Sequence, residues 1–197
     1  MGFLKVFIAT YPFNIDKDIC CLERKKELET IKNDEVKKQK FYVWKLLETA
    51  LEKYLNYDLQ DIKFTHLPNG KWICNKCHFS LSHSDNVVAV AISDKPVGVD
   101  IQLQKEIENI NLFKKHLLNE NEMKRVPNNY LLEAFAMKEA MFKESNEVNF
   151  VPSHFDILNT EKCKFYNLTI ANKAYKLAVC CDNIKLLEIN SNNLFFK

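Results

Sequence analysis

The chain has 197 residues, of which 47% are hydrophobic, enough to bury a substantial core as one large domain or two small ones. Its formal net charge of +2 at pH 7 is too close to neutral for a polyanion-binding protein, so we expect no nucleic-acid partner. No apolar run approaches the length of a transmembrane helix, and no signal-peptide cleavage site follows the first residues. We therefore expect a cytoplasmic protein with no membrane partner, whose seven cysteines are reduced thiols.

Hydrophobic periodicity in the first part of the chain predicts two helices among short strands. Asn33 or Asp34 can cap the longer helix, whose apolar core stripe consists of Phe41, Trp44, Leu47, Leu51 and Leu55. Pro68, Asn69 and Gly70 predict a turn. The other predicted elements are a strand at Leu4 to Ala9, a helix from Asp18 to about Lys32, and strands at Ile62 to Phe64 and Lys71 to Cys74.

The stretch from His78 to Gln102 predicts a meander of three short strands, Phe79 to Leu81, Val87 to Ile92 and Val97 to Ile101. The middle strand is apolar on both faces, as expected of a strand buried within a sheet. Ser82, His83 and Ser84 are predicted to lead into the turn after the first strand, and Asp100 lies in the third. An acid on a rigid core strand is costly for packing alone, so it indicates a functional site.

After this stretch the pattern changes to helices and then returns to strands. The predicted helices are Ile107 to Leu118, Asn121 to Arg125 and Tyr130 to Glu144, and the predicted strands are Phe155 to Leu158, Cys163 to Ile170, Tyr175 to Cys181 and Lys185 to Ile189. Each half of the chain therefore combines strands with one long helix. We predict an α+β fold of two similar lobes, residues 1–95 and 96–197, each a small antiparallel sheet packed by a long helix.

The last predicted helix carries a charged strip of Lys138, Glu139 and Lys143 on an otherwise apolar surface. Taken alone, Glu139 and Lys143 at i, i+4 spacing indicate an ordinary helix ion pair. A narrow charged strip on a mostly buried helix, however, more often faces a cleft than open solvent. If Asp100 lies beside Glu139, the two carboxylates can hold Mg²⁺, and Lys138 and Lys143 can neutralise phosphate groups.

Three motifs in order carry a family resemblance: Ser82-His83-Ser84, then Val97-Gly98-Val99-Asp100-Ile101, then Met137-Lys138-Glu139 followed by Lys143. Together they resemble the signature of the 4′-phosphopantetheinyl transferases, in particular the larger pseudo-dimeric type typified by the surfactin-synthetase-activating enzyme. The resemblance is concentrated between Lys71 and Lys143. It implies a pseudo-twofold fold in which the N-terminal lobe faces the nucleotide and the C-terminal lobe carries the metal and catalytic residues.

The resemblance also implies a reaction, the transfer of phosphopantetheine from coenzyme A to a serine of an apo acyl or peptidyl carrier protein. By analogy, Asp100 and Glu139 would hold Mg²⁺, Glu139 would accept the serine proton, and Lys143 would neutralise the leaving phosphate. The implied coenzyme A contacts are Lys40, Lys71, Ser82, His83, Lys138 and Lys143. We expect a monomer.

The chain departs from the family pattern at Gln102. The family usually has a second carboxylate here, two residues after the aspartate that corresponds to Asp100. A glutamine can ligate a metal through its amide oxygen but brings no charge, so Gln102 is a metal ligand of reduced strength. This substitution motivates an alternative of another class, a non-catalytic homologue that binds coenzyme A or docks a carrier protein. Transfer of labelled pantetheine to an apo carrier would distinguish the two.

Two other patterns suggest different chemistry. Cys74, Cys77 and His78 spell the c-type haem attachment pattern, which requires export, and a zinc site there needs a fourth ligand from elsewhere. Ser82 and His83 beside an aspartate suggest a serine hydrolase, but no nucleophile-elbow glycines flank Ser82. Neither pattern accounts for the later motifs.

The lysines between Lys37 and Lys45 suggest a nucleic-acid-binding helix. The aromatic residues among them, Phe41 and Trp44, fit the core stripe better than a stacking platform. The near-neutral charge of the chain also disfavours this interpretation.

Overall fold

A computed structural model describes residues 2–13, 18–67, 70–145 and 147–191. The chain is a mixed α and β protein. Its helices are α1 (Leu22–Thr30), α2 (Asp34–Thr49), α3 (Ile110–Leu117), α4 (Glu120–Arg125) and α5 (Leu131–Glu144). Its strands are β1 (Leu4–Thr10), β2 (Phe64–His66), β3 (Trp72–Cys74), β4 (His78–Ser84), β5 (Val87–Ser93), β6 (Val97–Leu103), β7 (Cys163–Ile170), β8 (Lys173–Cys181) and β9 (Leu187–Ser191).

Shorter helical turns connect several of these elements. A π-helical turn, Ala50–Tyr54, extends α2, and 3-10 turns form at Leu59–Asp61, Asn128–Tyr130, Pro152–His154 and Ile184–Leu186. The side chain of Asn33 caps α2 by accepting hydrogen bonds from the N–H groups of Glu35 and Val36, as predicted. Pro68 and Asn69 of the predicted turn lie outside the described residues.

The strands form two main sheets and one short hairpin. The first sheet has the strand order β4–β5–β1–β9, in which β9 runs parallel to β1, and the second has the order β6–β8–β7. Strands β2 and β3 pair as a separate two-stranded sheet. The predicted three-strand meander is therefore wrong in its last step, because β6 leaves β5 and pairs with β8.

Hydrophobic burial orders the main elements as four layers. One face of the first sheet packs on α2 through residues that include Phe7, Trp44 and Val90, and the opposite face packs on the second sheet through Val6, Ala89 and Val99. The outer face of the second sheet packs on α5, where small residues allow close contact. The two sheets thus share one core, with a helix on each outer side.

Serine hydroxyl groups join the two sheets where β6 crosses β4. Ser80, Ser82 and Ser84 of β4 accept hydrogen bonds from the backbone N–H groups of Val99, Ile101 and Leu103, at 3.0, 3.1 and 2.8 Å. These N–H groups lie on the edge of β6 and would otherwise be unsatisfied. The alternate spacing of the serines matches the two-residue period of a strand, which fixes β6 in register against β4.

Gly98 allows α5 to approach β6 at backbone contact distance. A Cβ atom at residue 98 would lie 1.8 Å from the carbonyl oxygen of Ala140 and 2.7 Å from the amide nitrogen of Glu144. Only glycine fits this contact. The close approach sets the position of Asp100, two residues further along β6, relative to the C-terminal half of α5.

Several predicted boundaries differ from the structure. Helix α1 begins at Leu22 rather than Asp18, α3 begins at Ile110 where Asn109 caps it, and β9 begins at Leu187 after a 3-10 turn. The residues 82–84 belong to β4 rather than to a turn. Similarly, the short strand predicted at Ile62 to Phe64 lies two residues later, at Phe64–His66.

The predicted strand from Phe155 to Leu158 does not form. Its backbone groups are instead paired with buried side chains, since the Phe155 carbonyl accepts from Lys138 and the Ile157 N–H donates to Glu122 at 2.9 Å. Lys138 and Glu122 therefore satisfy these backbone hydrogen-bonding groups, which would otherwise need a neighbouring strand.

Among the residues that the structure describes, no helix is both long enough and apolar enough to cross a membrane.

Candidate functional site

The centre of the site is an ion pair between strand β6 and helix α5. The Lys143 Nζ atom lies 2.7 Å from Asp100 Oδ1 and also donates to the carbonyl oxygen of Val99 at 3.1 Å. Asp100 is only 2% exposed, yet its carboxylate is well satisfied. Its Oδ1 atom also accepts from the Ser82 hydroxyl at 2.9 Å. This set of hydrogen bonds satisfies a buried carboxylate and holds it in one orientation.

Glu139 lies one helical turn before Lys143 on the same face of α5. The Glu139 Oε2 atom is 3.9 Å from Lys143 Nζ, so the ammonium group stands between the two carboxylates. Burial raises the pKa of Glu139, the positive charge of Lys143 opposes that rise, and the negative charge of Asp100 adds to it. Glu139 is thus a partly exposed carboxylate with a stronger tendency to take up a proton than a fully solvated one.

Gln102 contacts the other oxygen of the same aspartate. Its Nε2 atom donates to Asp100 Oδ2 at 2.8 Å. A carboxylate can only accept, so the amide NH₂ must face Asp100 and the amide oxygen faces away. Gln102 is therefore a hydrogen-bond donor to Asp100. A carboxylate at residue 102 would instead repel the Asp100 carboxylate.

His83 follows Ser82 on β4 and lies on the alternate face of that strand, opposite Val88, yet it is near enough for the charges of Lys143 and Asp100 to act on it. Burial lowers the pKa of the His83 imidazole, the positive charge of Lys143 lowers it further, and Asp100 opposes the shift. The more distant charges of Lys40 and Arg24 act in the same direction as Lys143. His83 is therefore neutral at pH 7 and lies beside a group of cations, the electrostatic setting of an anion site.

Lys40 belongs to a partly buried ionic cluster that the sequence did not predict. Its Nζ atom lies 2.9 Å from Glu27 Oε1, and Arg24 contacts Glu27 Oε2 at 2.6 Å and donates to the Lys40 carbonyl at 2.9 Å. The Arg24 guanidinium lies 4.9 Å from the centre of the Trp44 ring. Arg24 and Glu27 were missed because they are far from Lys40 in sequence, and their charged helix resembled an exposed one.

Lys71 contacts the backbone of Lys143 and lines a cleft with it. Its Nζ atom donates to the carbonyl oxygen of Lys143, and burial lowers the pKa of Lys71. Both lysines line a cleft of about 280 Å³, together with Gly70, Trp72, Phe79, Ser80, Leu81 and Phe142. The cleft combines apolar walls with two cationic side chains, which suits a ligand that has both apolar and anionic parts.

Lys138 does not join the other predicted residues. Its side chain is 0% exposed, and its Nζ atom lies 2.7 Å from Glu122 Oε2 and donates to the carbonyls of Pro152 and Phe155. This buried ammonium group links α5 to α4 and to the segment after α5. We therefore assign Lys138 a structural role, in contrast to the phosphate contact that the sequence suggested.

The oxygen atoms around Lys143 suit a hard cation. Asp100, Glu139 and the Val99 carbonyl are all oxygen donors, and Mg²⁺ commonly binds through one or two carboxylates and several waters. The Lys143 ammonium already shows that a positive charge is stable between these carboxylates. Within the described ranges, however, no group of three or more His, Cys, Asp or Glu side chains is arranged to hold a metal ion by itself.

Comparison with known proteins gives one partial likeness. No protein-family model matches the chain. A stretch of 64 residues, 32% of this chain, is 39% identical to 4′-phosphopantetheinyl transferase gsp from Aneurinibacillus migulanus, of which it covers 27%. The likeness supports the superfamily. The match spans only about a quarter of that relative, so activity, substrate and metal are left to be proposed.

Proposed function

We propose that this chain is a 4′-phosphopantetheinyl transferase of the holo-acyl-carrier-protein synthase type. In this proposal it moves phosphopantetheine from coenzyme A to a serine of an apo acyl or peptidyl carrier protein and releases 3′,5′-adenosine bisphosphate. The observation that carries the proposal is the contact of Lys143 with Asp100 beside Glu139, formed by the motifs that resemble the family. The partial likeness to a named transferase also supports it.

The reaction forms one P–O bond and breaks another. The carrier serine oxygen attacks the phosphorus on the pantetheine side of the pyrophosphate, and the bond to the bridging oxygen of the leaving nucleotide breaks. Glu139 takes the serine proton, directly or through a water, and its raised pKa suits this role. Lys143 neutralises the charge that develops on the leaving phosphate and can supply its proton.

Asp100 and Glu139 are the residues that would hold Mg²⁺, with the Gln102 amide oxygen as a further ligand once its side chain turns. When bound, Mg²⁺ would supply positive charge to the pyrophosphate oxygens. Asp100 itself would orient Lys143, and Ser82 would act as a positioning residue because its hydroxyl group is engaged with Asp100.

Coenzyme A contacts are proposed for Lys40, Lys71, His83 and Lys143. The charges of Lys143 and Lys40 both act on His83, and Lys71 lines the same cleft as Lys143. A pyrophosphate near Lys143 and a phosphorylated ribose near His83 would each meet at least one cation or N–H donor. Lys138 is left out because its ammonium group is buried against Glu122.

We propose further that residues 1–95 and 96–197 act as two similar lobes in a cytoplasmic monomer, with the site at their interface. The transition from β5 to β6, where the chain passes from one sheet to the other, supports a boundary there, although β9 of the second range returns to pair with β1 of the first. Neither nucleic acid nor membrane is part of the proposal.

A non-catalytic coenzyme A-binding or carrier-docking protein is the second candidate. The hydrogen bond from Gln102 to Asp100 favours it, because that contact occupies a carboxylate oxygen that a metal would need. An assay of pantetheine transfer from coenzyme A to a panel of apo carrier proteins, read by mass, separates the two candidates. Coenzyme A binding without transfer would support the second.

A further inference from the structure

Two cysteine thiols lie close together at the connection between β3 and β4. The Sγ atoms of Cys74 and Cys77 are 3.7 Å apart. Both side chains are half-buried, and the two residues between them, Asn75 and Lys76, are exposed. A small reagent can therefore reach the pair from solvent. Neither thiol has a part in the proposed transferase reaction.

The turn is anchored so that both sulfur atoms face the same side. The Asn75 side chain accepts a hydrogen bond from the Lys63 N–H at 2.9 Å and donates to the Asp61 carbonyl at 3.4 Å. Both thiols pack against the hydrophobic core under α2. These contacts hold the sulfur atoms near each other without a covalent bond, so only a small movement would bring them to bonding distance.

The two thiols differ in acidity. The hydrogen bond from the Cys77 thiol, together with backbone hydrogen bonds from Lys76 and Cys77, lowers the pKa of Cys74 to about 6 against the opposing effect of burial. The same hydrogen bond, burial and the charge of Cys74 raise the pKa of Cys77. Cys74 is therefore the more acidic thiol of the pair, and when protonated it donates to the Cys77 carbonyl oxygen at 3.3 Å.

A zinc or haem role fits this pair less well than a redox role. A structural zinc site needs four ligands, and no third metal-binding side chain joins the two sulfurs among the residues that the structure describes. His78 follows Cys77 directly, but the charges that act on its imidazole are those of Lys71, Asp94 and Lys95 rather than the two thiols.

We propose that Cys74 and Cys77 form a reversible internal disulfide by exchange with small-molecule disulfides. In the first step the Cys74 thiolate attacks one sulfur of the small disulfide, forms a mixed disulfide and releases one small thiolate. The Cys77 thiol then loses its proton and attacks the Cys74 sulfur, which releases the second small thiolate. Counted from two protonated thiols, one of which ionises before the first attack, the protein loses two electrons and two protons, and the small disulfide takes them up to become two thiols.

The order of attack follows from the contacts of the pair. Cys74 is the more acidic of the two thiols, so it supplies the first attacking thiolate. Conversion of Cys74 to a mixed disulfide removes its negative charge, and the Cys77 proton then becomes easier to remove. Cys77 is thus the resolving thiol. Among the other cysteines, Cys20 is exposed and four are buried, Cys21, Cys163, Cys180 and Cys181.

Peptide mapping tests the proposal on the full chain, because Lys76 separates the two cysteines. Trypsin cleaves after Lys71 and Lys76, and since Pro96 blocks cleavage after Lys95, the cysteines fall in fragments 72–76 and 77–105. The protein is equilibrated with oxidised glutathione at pH 7, alkylated and digested. We expect the two fragments to be joined by a disulfide, and a dithiol reductant to separate them.

Single-cysteine variants make the result specific. Cys77→Ser should leave Cys74 as a mixed disulfide with glutathione, Cys74→Ser should prevent the linked fragments, and the control Cys20→Ser should leave them unchanged. The wild-type rate of exchange should rise with pH through a midpoint near 6. Separate fragments in the oxidised wild type, or linkage of Cys77 to Cys20 instead of Cys74, would overturn the proposal.

Discussion

Gly98 of β6 lies directly against the Ala140 carbonyl of α5, and a Cβ atom at residue 98 would be 1.8 Å from that oxygen. This contact joins the strand that carries Asp100 to the helix that carries Glu139 and Lys143. Any side chain at residue 98 must push the helix away. The geometry of the candidate site therefore depends on the absence of a side chain at Gly98, which is far from Glu139 and Lys143 in the sequence but adjacent to their helix in space.

Gly98→Ala should lower the free energy of unfolding by about 3 kcal/mol or more, because the new methyl group meets backbone atoms that cannot rotate away. Denaturant unfolding measures this change. Gly70→Ala is the comparison, since nothing lies within 4 Å of a Cβ there and its φ of +80° should cost only about 1 kcal/mol. Equal losses at both positions would contradict the close contact of β6 with α5.

Ser82→Ala should weaken both stability and transfer. The change removes a hydrogen bond to the buried Asp100 carboxylate and leaves the Ile101 N–H without an acceptor, a loss of about 2–3 kcal/mol. Ser84→Ala removes only the acceptor for the Leu103 N–H, so it should cost about 1 kcal/mol and leave the transfer rate unchanged. Unfolding curves and transfer rates for both variants check this difference. Wild-type transfer by Ser82→Ala would remove Ser82 from its positioning role.

Lys138→Met should destabilise the protein by about 3–5 kcal/mol, because it leaves the buried Glu122 carboxylate without its cation. The folded fraction should keep its affinity for coenzyme A. Lys143→Met should show the opposite pattern, with a smaller loss of stability, since Lys143 is 24% exposed, and a large loss of transfer. Calorimetric titration of both variants with coenzyme A separates these outcomes. Weaker coenzyme A binding by folded Lys138→Met would contradict the structural assignment.

The His83 imidazole should titrate below its ordinary pKa of about 6.5, because burial and then Lys143 lower its pKa. Its stabilising contribution is therefore complete above about pH 6.5 and is lost as the pH falls through the lower folded-state pKa. NMR titration of the ring protons, assigned with His83→Asn, measures the midpoint. Coenzyme A should raise that midpoint, since a nearby phosphate favours the charged imidazole. An unchanged midpoint would argue against phosphate at His83.

Local patterns in the sequence predicted the elements whose signals are periodic. Helices α2 and α5 were expected from their apolar spacing, and the buried strand β5 from its run of β-branched residues. The pairing of β6 could not be predicted in this way. A short connection usually joins neighbouring strands, and here Ser80, Ser82 and Ser84 satisfy the edge of β6 by side-chain contacts that no local pattern reveals.

The candidate site shows the same division. Asp100, Glu139 and Lys143 were grouped from their motifs, and the structure brings them together. Lys138 was grouped with them because it is adjacent in sequence, but a one-residue step turns a helical side chain by about 100°. Lys138 faces Glu122, whose position depends on how α4 packs. The role of Lys138 therefore depends on long-range packing, which the motif does not reveal.

Transfer from coenzyme A to apo carrier proteins in the presence of Mg²⁺ is the measurement that decides whether this chain is a transferase. The wild type should add one phosphopantetheine group to at least one acyl or peptidyl carrier. Glu139→Gln should slow that transfer by about 100-fold or more with coenzyme A affinity retained. Glu133 lies on the same helix as Glu139, and its carboxylate pairs with Lys176 of β8 at 2.6 Å, so Glu133→Gln is the matched control and should keep the wild-type rate. Coenzyme A binding by the wild type with no transfer to any carrier would contradict the proposed function.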